Sequence, residues 1–127
     1  NLAEYAQTIK EKELTFSEYA QSEFTVMADS CSKGMELLEQ AAAGSRNFTL
    51  EKVQEIEQKI DDITLKFRQN QIDRMREGHC SVEASILYSE MLTDYERIGD
   101  HMLNIAEAYD MINLNDEGIT QSAAANA

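Results

Sequence analysis

The chain has 127 residues, which suits one domain with a substantial core and is too short for two. It contains no proline and only five glycines, a composition that favours long helices over sheets, because sheets need many turns. Its formal net charge of −13 repels phosphate backbones, which argues against nucleic-acid binding and leaves cations, or a solvated acidic face, as the reason for so many carboxylates.

The first residues, 1–13, are predicted to form an N-terminal connector or a short helix. They are polar and carry a thin apolar stripe at Leu2, Tyr5 and Ile9. Because the chain lacks an initiator methionine, we expect it to be an excised part of a longer protein.

A first long helix is predicted to begin near Phe16. Thr15 and Glu18 have the spacing of a capping box, and the pair Gly44-Ser45 is predicted to end the helix. Apolar residues recur at steps of mostly three or four, which predicts a buried stripe of Tyr19, Ala20, Phe24, Met27, Cys31, Met35, Leu38 and Ala42.

Two further long helices follow. Thr49 is predicted to cap the second, which ends at Gly78-His79, and Ser81 to cap the third, which is predicted to stop within 113–118. The apolar stripe of the second helix comprises Val53, Ile56, Ile60, Ile63, Phe67, Ile72 and Met75. That of the third comprises Ile86, Leu87, Met91, Ile98, Met102, Ile105, Tyr109 and Ile112.

Three long helices joined by short loops must run up, down and up around one shared core. The sequence therefore predicts an all-α fold over 14–113, an elongated up-down-up three-helix bundle about 45 Å long. The tail, 114–127, has little to bury and is predicted to be flexible.

Cysteine usage and hydropathy indicate the setting of the chain. Cys31 and Cys80 do not make a disulfide framework and are predicted to be half-buried core residues. No apolar run approaches the roughly 20 residues that span a bilayer, and no signal peptide is visible. We therefore expect a soluble protein in a reducing, intracellular setting.

The second and third helices each carry an acid-x-x-x-Asp motif, Glu57 with Asp61 and Glu96 with Asp100. Residues four apart lie one above the other on the same face of a helix. Because the two helices form an antiparallel hairpin that turns near Gly78, Glu57 is predicted to face Asp100 and Asp61 to face Glu96. Four carboxylates at one level repel one another unless a cation lies between or beside them.

Two interpretations of these motifs remain open. A divalent or trivalent metal is one source of positive charge, since hard oxygen ligands suit Mg, Mn, Fe or Ca. Otherwise the acids form a solvated face, neutralised in part by Lys59 and Arg97. Gly99, inside the third helix, indicates either a close helix contact or room for an ion. His79 and His101 are interpreted as surface or interhelical histidines.

The stretch 91–107 resembles the signature of the PhoU family. It reads MLTDYERIGDHMLNIAE, with the Glu-Arg-Ile-Gly-Asp-His and Asn-Ile-Ala-Glu segments that members carry on the third helix of each three-helix repeat. The unit from Glu57 to Asp61 falls where the second helix of the family carries its own acidic motif. The resemblance covers roughly residues 14–113.

The resemblance implies a PhoU-type bundle that holds metal ions, such as Fe, Zn, Mn or Mg, on its acidic motifs. A single repeat is similar to the carboxy-terminal domain of bacterial sodium/phosphate cotransporters, whereas free-standing PhoU proteins contain two repeats. This implies a cytoplasmic domain at the inner face of the cell membrane, which regulates phosphate uptake through a membrane-embedded transporter domain of the same or another polypeptide. Pairing of two copies in a homodimer would recreate the two-repeat arrangement. The implied ligands are Glu57, Asp61, Glu96 and Asp100, with Asp94 and Asn104 as weaker candidates.

Other functional classes fit the sequence less well. A ferritin-like di-metal enzyme needs Glu-x-x-His pairs on four helices, and the sequence has no such pair. The sequence also lacks a glycine-rich phosphate loop and a nucleophile with suitable His and Asp partners, so no enzymatic activity is expected. The remaining alternative is a ligand-free helical module for protein interaction or oligomerisation.

Overall fold

The computed structural model describes residues 2–11, 16–45 and 48–125, with the backbone alone after residue 112. These residues form four α-helices and no strand, so the all-α class is confirmed. Three long helices share the core, and a short N-terminal helix packs on the last long helix. Over the part of the chain that the structure describes, no helix is both long and apolar enough to cross a membrane. The helices are α1 (Leu2–Glu11), α2 (Glu18–Ala42), α3 (Leu50–Arg76) and α4 (Val82–Ala125).

The first long helix, α2, begins later than predicted. Its N-cap is Ser17, whose hydroxyl oxygen accepts a hydrogen bond from the backbone N–H of Ala20 at 3.1 Å. The start predicted near Phe16 is therefore wrong by two residues, because a serine satisfies the free N–H groups of the first turn. Thr15, the predicted cap, lies outside the described residues.

The other helix boundaries near the hairpins agree with the predictions. Thr49 and Ser81 cap α3 and α4, each accepting from the backbone N–H three residues later, at 3.4 and 3.1 Å. The chain reverses after α2 and α3 at Gly44 and Gly78, which have φ values of 73° and 76°. Only glycine adopts this left-handed conformation without steric cost, so the two glycines allow the turns that follow α2 and α3.

The last helix runs beyond its predicted end. The stop predicted within 113–118 is wrong, because α4 continues to Ala125. One glycine in this stretch costs about 1 kcal/mol, no proline is present, and the alanines that follow have the highest helix propensity. The boundaries predicted for a bundle over 14–113 and a flexible tail over 114–127 stay predictions.

The buried stripe of α2 agrees with the apolar pattern only in part: Ala20, Met27 and Leu38 are buried as predicted, but polar and small residues fill the positions between them. Tyr19 and Met35 are exposed, by 78% and 49%, whereas Glu23, Ser30 and Gly34 lie in the buried stripe. The physical reason is close packing: a Cβ atom added at Gly34 would lie 2.6 Å from Sδ of Met102 on α4. Small side chains let α2 approach the hairpin, and the bulky neighbours turn outward. The buried residues of α2 are Ala20, Glu23, Met27, Ser30, Gly34, Leu38 and Ala41.

The predicted stripes of α3 and α4 are also confirmed in part, since Val53, Ile60, Phe67, Leu87 and Met102 are buried. Several residues predicted to be buried are exposed, namely Ile72, Met75, Ile86, Ile105 and Ile112. Tyr88, Leu92 and Thr64 are instead almost wholly inaccessible to solvent. Cys31 and Cys80 are free and half-buried, as predicted.

Candidate metal centre

Three of the four predicted acidic residues come together on the α3–α4 hairpin. Glu57 and Asp61 lie one turn apart on α3, and the antiparallel course of α4 brings Asp100 beside them. One carboxylate oxygen from each residue lies within 4.8 Å of the others. Glu57 and Asp61 are half-buried and Asp100 is exposed, so the group opens to solvent on one side.

The fourth residue, Glu96, is held elsewhere. Its Oε1 atom accepts from Nη2 of Arg68 at 3.0 Å. Arg68 also donates to Oγ of Ser89 at 2.7 Å and to Oγ1 of Thr93 at 2.6 Å, which fixes the guanidinium between the helices. Sequence reasoning missed Arg68, although it follows Asp61 by seven residues and therefore lies on the same face of α3. Metal ligation by Glu96 stays a prediction.

The three clustered carboxylates have strong mutual electrostatic effects. The pKa of Glu57 is raised to about 7, first by its removal from water, then by its hydrogen bond with Asp61 and by the charges of Asp61 and Asp100. Among the described residues, no lysine, arginine or histidine forms an ion pair with any of the three. At neutral pH the group therefore carries negative charge that the described side chains do not offset.

The donor set fits a hard metal cation. Three carboxylates provide oxygen ligands alone, which Mg²⁺, Mn²⁺ and iron ions accept, while water can complete the coordination on the open side. Zn²⁺ more often takes nitrogen or sulfur ligands, and the group contains neither. A bound cation would neutralise the repulsion that raises the pKa of Glu57 and would join α3 to α4.

The weaker ligand candidates are placed differently. Asp94 interacts with Tyr5 of α1, whose hydrogen bond lowers the pKa of this carboxyl, and with Nη1 of Arg97 at 3.5 Å. The same hydrogen bond raises the pKa of Tyr5 to about 12. Asp94 therefore attaches α1 to α4, and the acidic group does not include it. Asn104 and His101 are exposed.

Gly99 lies next to Asp100 and is buried against α3. A Cβ atom added there would lie 3.4 Å from Cδ1 of Ile60, an ordinary van der Waals distance. We therefore expect Gly99→Ala to raise the free energy of unfolding by about 0.5–1 kcal/mol, because alanine is the better helix former. Urea denaturation measures the change, and a loss of more than 1 kcal/mol would contradict it.

A second polar cluster, which sequence reasoning missed, connects α2, α3 and α4. Oε1 of Glu23 accepts from Tyr88 Oη and from Arg74 Nη2, both at 2.5 Å, and its Oε2 accepts from Asn70 Nδ2 at 2.8 Å. Arg74 also donates from Nε to Oε1 of Gln71 at 2.9 Å. Within the described residues, no buried side-chain nitrogen or oxygen lacks a hydrogen-bond partner. The cluster therefore satisfies a buried charge and fixes the three helices at one level.

Comparison with known proteins places these features in a family. A family model for the PhoU domain matches residues 24–109, more than half of the chain. The chain belongs to the PhoU domain family. The matched range contains both acidic motifs of this PhoU domain. It also contains Asn70, Arg74 and Tyr88, the partners of Glu23, while Glu23 itself lies one residue before it. The predicted resemblance to the family is confirmed.

A curated relative gives a shorter match to the PhoU domain. The phosphate-specific transport system accessory protein PhoU homolog 1 of Thermotoga maritima is 40% identical over 48 residues. This region is 38% of the present chain and 21% of the relative, so the match spans about a fifth of the relative's length. No solved structure matches the chain significantly.

Proposed function

We propose that this PhoU domain is a metal-binding regulatory module of a phosphate transport system, without enzymatic activity. The observation that carries the proposal is the convergence of Glu57, Asp61 and Asp100 with no cationic partner among the described side chains. The link to phosphate comes from the family and from the relative, which is named as an accessory protein of phosphate-specific transport.

The metal proposal has a structural consequence. Glu57 and Asp61 belong to α3 and Asp100 to α4, so an ion bound by all three would hold the two helices together at a point remote from the turn at Gly78. The proposed cations are iron, manganese, magnesium or zinc ions, and the all-oxygen donor set favours the first three. Glu96 would become a fourth ligand only if Arg68 released it.

The proposed partner is a membrane-embedded phosphate transporter domain, in the same or another polypeptide, at the cytoplasmic face of the cell membrane. The net charge of −13 supports contact with protein and not with lipid, because the cytoplasmic leaflet is itself negatively charged. A homodimer is part of the proposal, since one repeat could pair with a second copy.

The alternative is a helical interaction module that binds no metal. In that case the acidic group is a solvated face, and cations affect it only through weak electrostatic screening. A metal site binds a fixed number of ions per chain, whereas a solvated acidic face does not, and this stoichiometry can be measured directly.

The decisive experiment is elemental analysis after incubation with Fe, Zn, Mn or Mg and removal of the unbound ion. We expect stoichiometric metal in the wild type and at least about a 100-fold loss of affinity in the triple variant Glu57→Gln/Asp61→Asn/Asp100→Asn, because even substitution of outer-shell partners of metal ligands costs about 10–100-fold. Equal, trace metal in both proteins would overturn the metal proposal.

The matched control removes the same charge from exposed positions of α3. The variant Glu51→Gln/Glu55→Gln/Asp62→Asn should keep the wild-type stoichiometry. A separate Glu96→Gln variant tests the fourth predicted ligand: a loss of more than tenfold in affinity would assign Glu96 to the site, and an unchanged affinity would leave it as the partner of Arg68.

A further inference from the structure

An apolar groove lies between α3 and α4 beside the hairpin turn. Its volume is about 370 Å³, and its lining comes from these two helices alone. Four apolar side chains that line it are exposed: Ile72 by 40%, Met75 by 39%, Val82 by 64% and Ile86 by 56%. Apolar side chains exposed together, and not singly, mark interaction surfaces of soluble domains.

The floor of the groove is fixed by buried contacts. Tyr88 and Leu92 lie beneath it and are fully buried. Gln71, also part of the lining, donates from Nε2 to Oγ of Ser85 at 3.0 Å and accepts from Arg74. Because these contacts hold the floor in place, the groove is formed before any partner binds, and binding costs little conformational entropy.

The groove, which ends at Arg68 and Leu92, and the acidic group lie along one strip of the hairpin. Met75, Arg68 and Asp61 follow one another at seven-residue intervals and therefore lie along one line of α3. At 1.5 Å per residue, the strip from Met75 to Asp61 is about 21 Å long. The charge of Arg68, midway along it, is offset by Glu96. The strip is thus apolar at the turn and acidic at its other end.

We propose that this strip is the docking surface for a basic amphipathic helix of a partner protein. Apolar side chains at helical spacing would enter the groove, and lysine or arginine side chains would lie at Asp61, Glu57 and Asp100. A helix of about 14–18 residues matches the length of the strip. At this strip the three carboxylates would meet like charge from a second acidic copy or from an anionic membrane, so both are disfavoured as its occupant.

This docking surface goes beyond the proposed metal function and does not require it. A basic helix supplies the positive charge that the three carboxylates lack, as a metal would, so helix and metal would compete at the acidic end. Loss of the groove should abolish helix binding and leave metal stoichiometry unchanged. The two proposals therefore fail separately.

The test is fluorescence anisotropy with a labelled 18-residue peptide of leucine and lysine, arranged as an amphipathic helix, in EDTA. We expect saturable binding to the wild type and at least about tenfold weaker binding to Ile72→Asn/Ile86→Asn, since both side chains are apolar anchors of the groove. Both positions are exposed, so the variant should fold, which thermal unfolding verifies. The control Met111→Asn, at an exposed position far along α4, should bind as the wild type does.

Several outcomes would overturn the proposal. Equal binding of a scrambled peptide of the same composition, or undiminished binding to Ile72→Asn/Ile86→Asn, would reduce the interaction to unspecific charge attraction. If the wild type sediments as a dimer and Ile72→Asn/Ile86→Asn sediments as a monomer, the groove binds a second copy of the chain. Binding of vesicles rich in phosphatidylserine that depends on Ile72 and Ile86 would assign it to a membrane.

Discussion

Replacing Arg74 with methionine is expected to lower the free energy of unfolding by about 3–5 kcal/mol. Arg74 donates to Glu23 at 2.5 Å, and the two side chains are only 12% and 9% exposed. Methionine occupies a similar space but leaves the carboxylate without a counter-charge in surroundings largely shielded from water. Tyr88 and Asn70 still donate to Glu23, but they supply no positive charge. Urea denaturation at pH 7 measures the loss.

The effect of this substitution should depend on pH. Burial alone would raise the pKa of Glu23, but hydrogen bonds from Arg74, Asn70 and Tyr88 outweigh it and hold the pKa below its usual value of 4.5. In the wild type this contribution to stability is present above pH 4.5 and is lost as the pH falls through the folded-state pKa. Without Arg74, two of the interactions that lower the pKa of Glu23, its charge and its hydrogen bond, are lost and the opposing effect of burial remains. We therefore expect the pKa to rise in the variant and the deficit to shrink as the pH falls from 7 to 4.

Two controls identify the buried ion pair as the cause. Arg76 is exposed two residues further along α3, and Arg76→Met should change the free energy of unfolding by no more than about 0.5 kcal/mol. Adding Glu23→Leu to Arg74→Met should recover part of the loss, because the uncompensated charge is removed. A deficit below 1 kcal/mol in Arg74→Met, or one independent of pH, would mean that the pair contributes little.

The helix boundaries at the two hairpin turns were predictable from the sequence, because local chemistry determines them. A hydroxyl before a helix accepts from a backbone N–H three residues later, and Thr49 and Ser81 need no distant partner to do so. The same holds for Gly44 and Gly78, whose left-handed backbone is available to glycine at little cost. The end of α4 escaped prediction because a polar stretch without proline does not stop a helix.

The apolar residues of α2 predicted the burial of Ala20, Met27 and Leu38, but not that of the polar and small residues between them. Glu23 interrupts the apolar pattern, and a lone glutamate is usually solvated. Its partners Asn70, Arg74 and Tyr88 lie 47, 51 and 65 residues away in sequence, so the cluster exists only after the three helices have packed. The burial of Gly34 likewise depends on a distant residue, Met102, whose Sδ would lie 2.6 Å from an added Cβ atom.

The acidic group was predictable in part for geometric reasons. A spacing of four puts Glu57 and Asp61 on one face, and the antiparallel hairpin brings Asp100 opposite them. The same rule placed Glu96 with them, but an arginine side chain reaches several ångströms and can draw a carboxylate away from its helix position. Arg68 does this in the structure. The spacing of acidic residues along a helix does not show whether a long cationic side chain will pair with one of them.

Saturating Mn²⁺ is expected to raise the free energy of unfolding of the wild type by about 2.7 kcal/mol at a free concentration 100 times its Kd. The pKa of Glu57 makes this gain depend on pH. This pKa is about 7 in the folded state, against an ordinary value of 4.5. Protonation of Glu57 therefore stabilises the folded, metal-free protein; the contribution is complete below pH 4.5 and is lost as the pH rises through 7. A proton and a metal compete for the same carboxylate, so the gain from Mn²⁺ should be larger at pH 8 than at pH 6.

Thermal unfolding at pH 6 and pH 8, with and without Mn²⁺, measures these effects against two variants. Glu57→Gln should stabilise the metal-free protein at pH 8, because it removes the repulsion with Asp61 and Asp100, and should lose the response to Mn²⁺. Glu55→Gln, an exposed position on α3, should respond as the wild type does. If Mn²⁺ stabilises Glu55→Gln and Glu57→Gln equally, it only screens the net charge of −13, and the three carboxylates are a solvated acidic face without a metal site. If only Glu57→Gln loses the response, Mn²⁺ binds at the group formed by Glu57, Asp61 and Asp100.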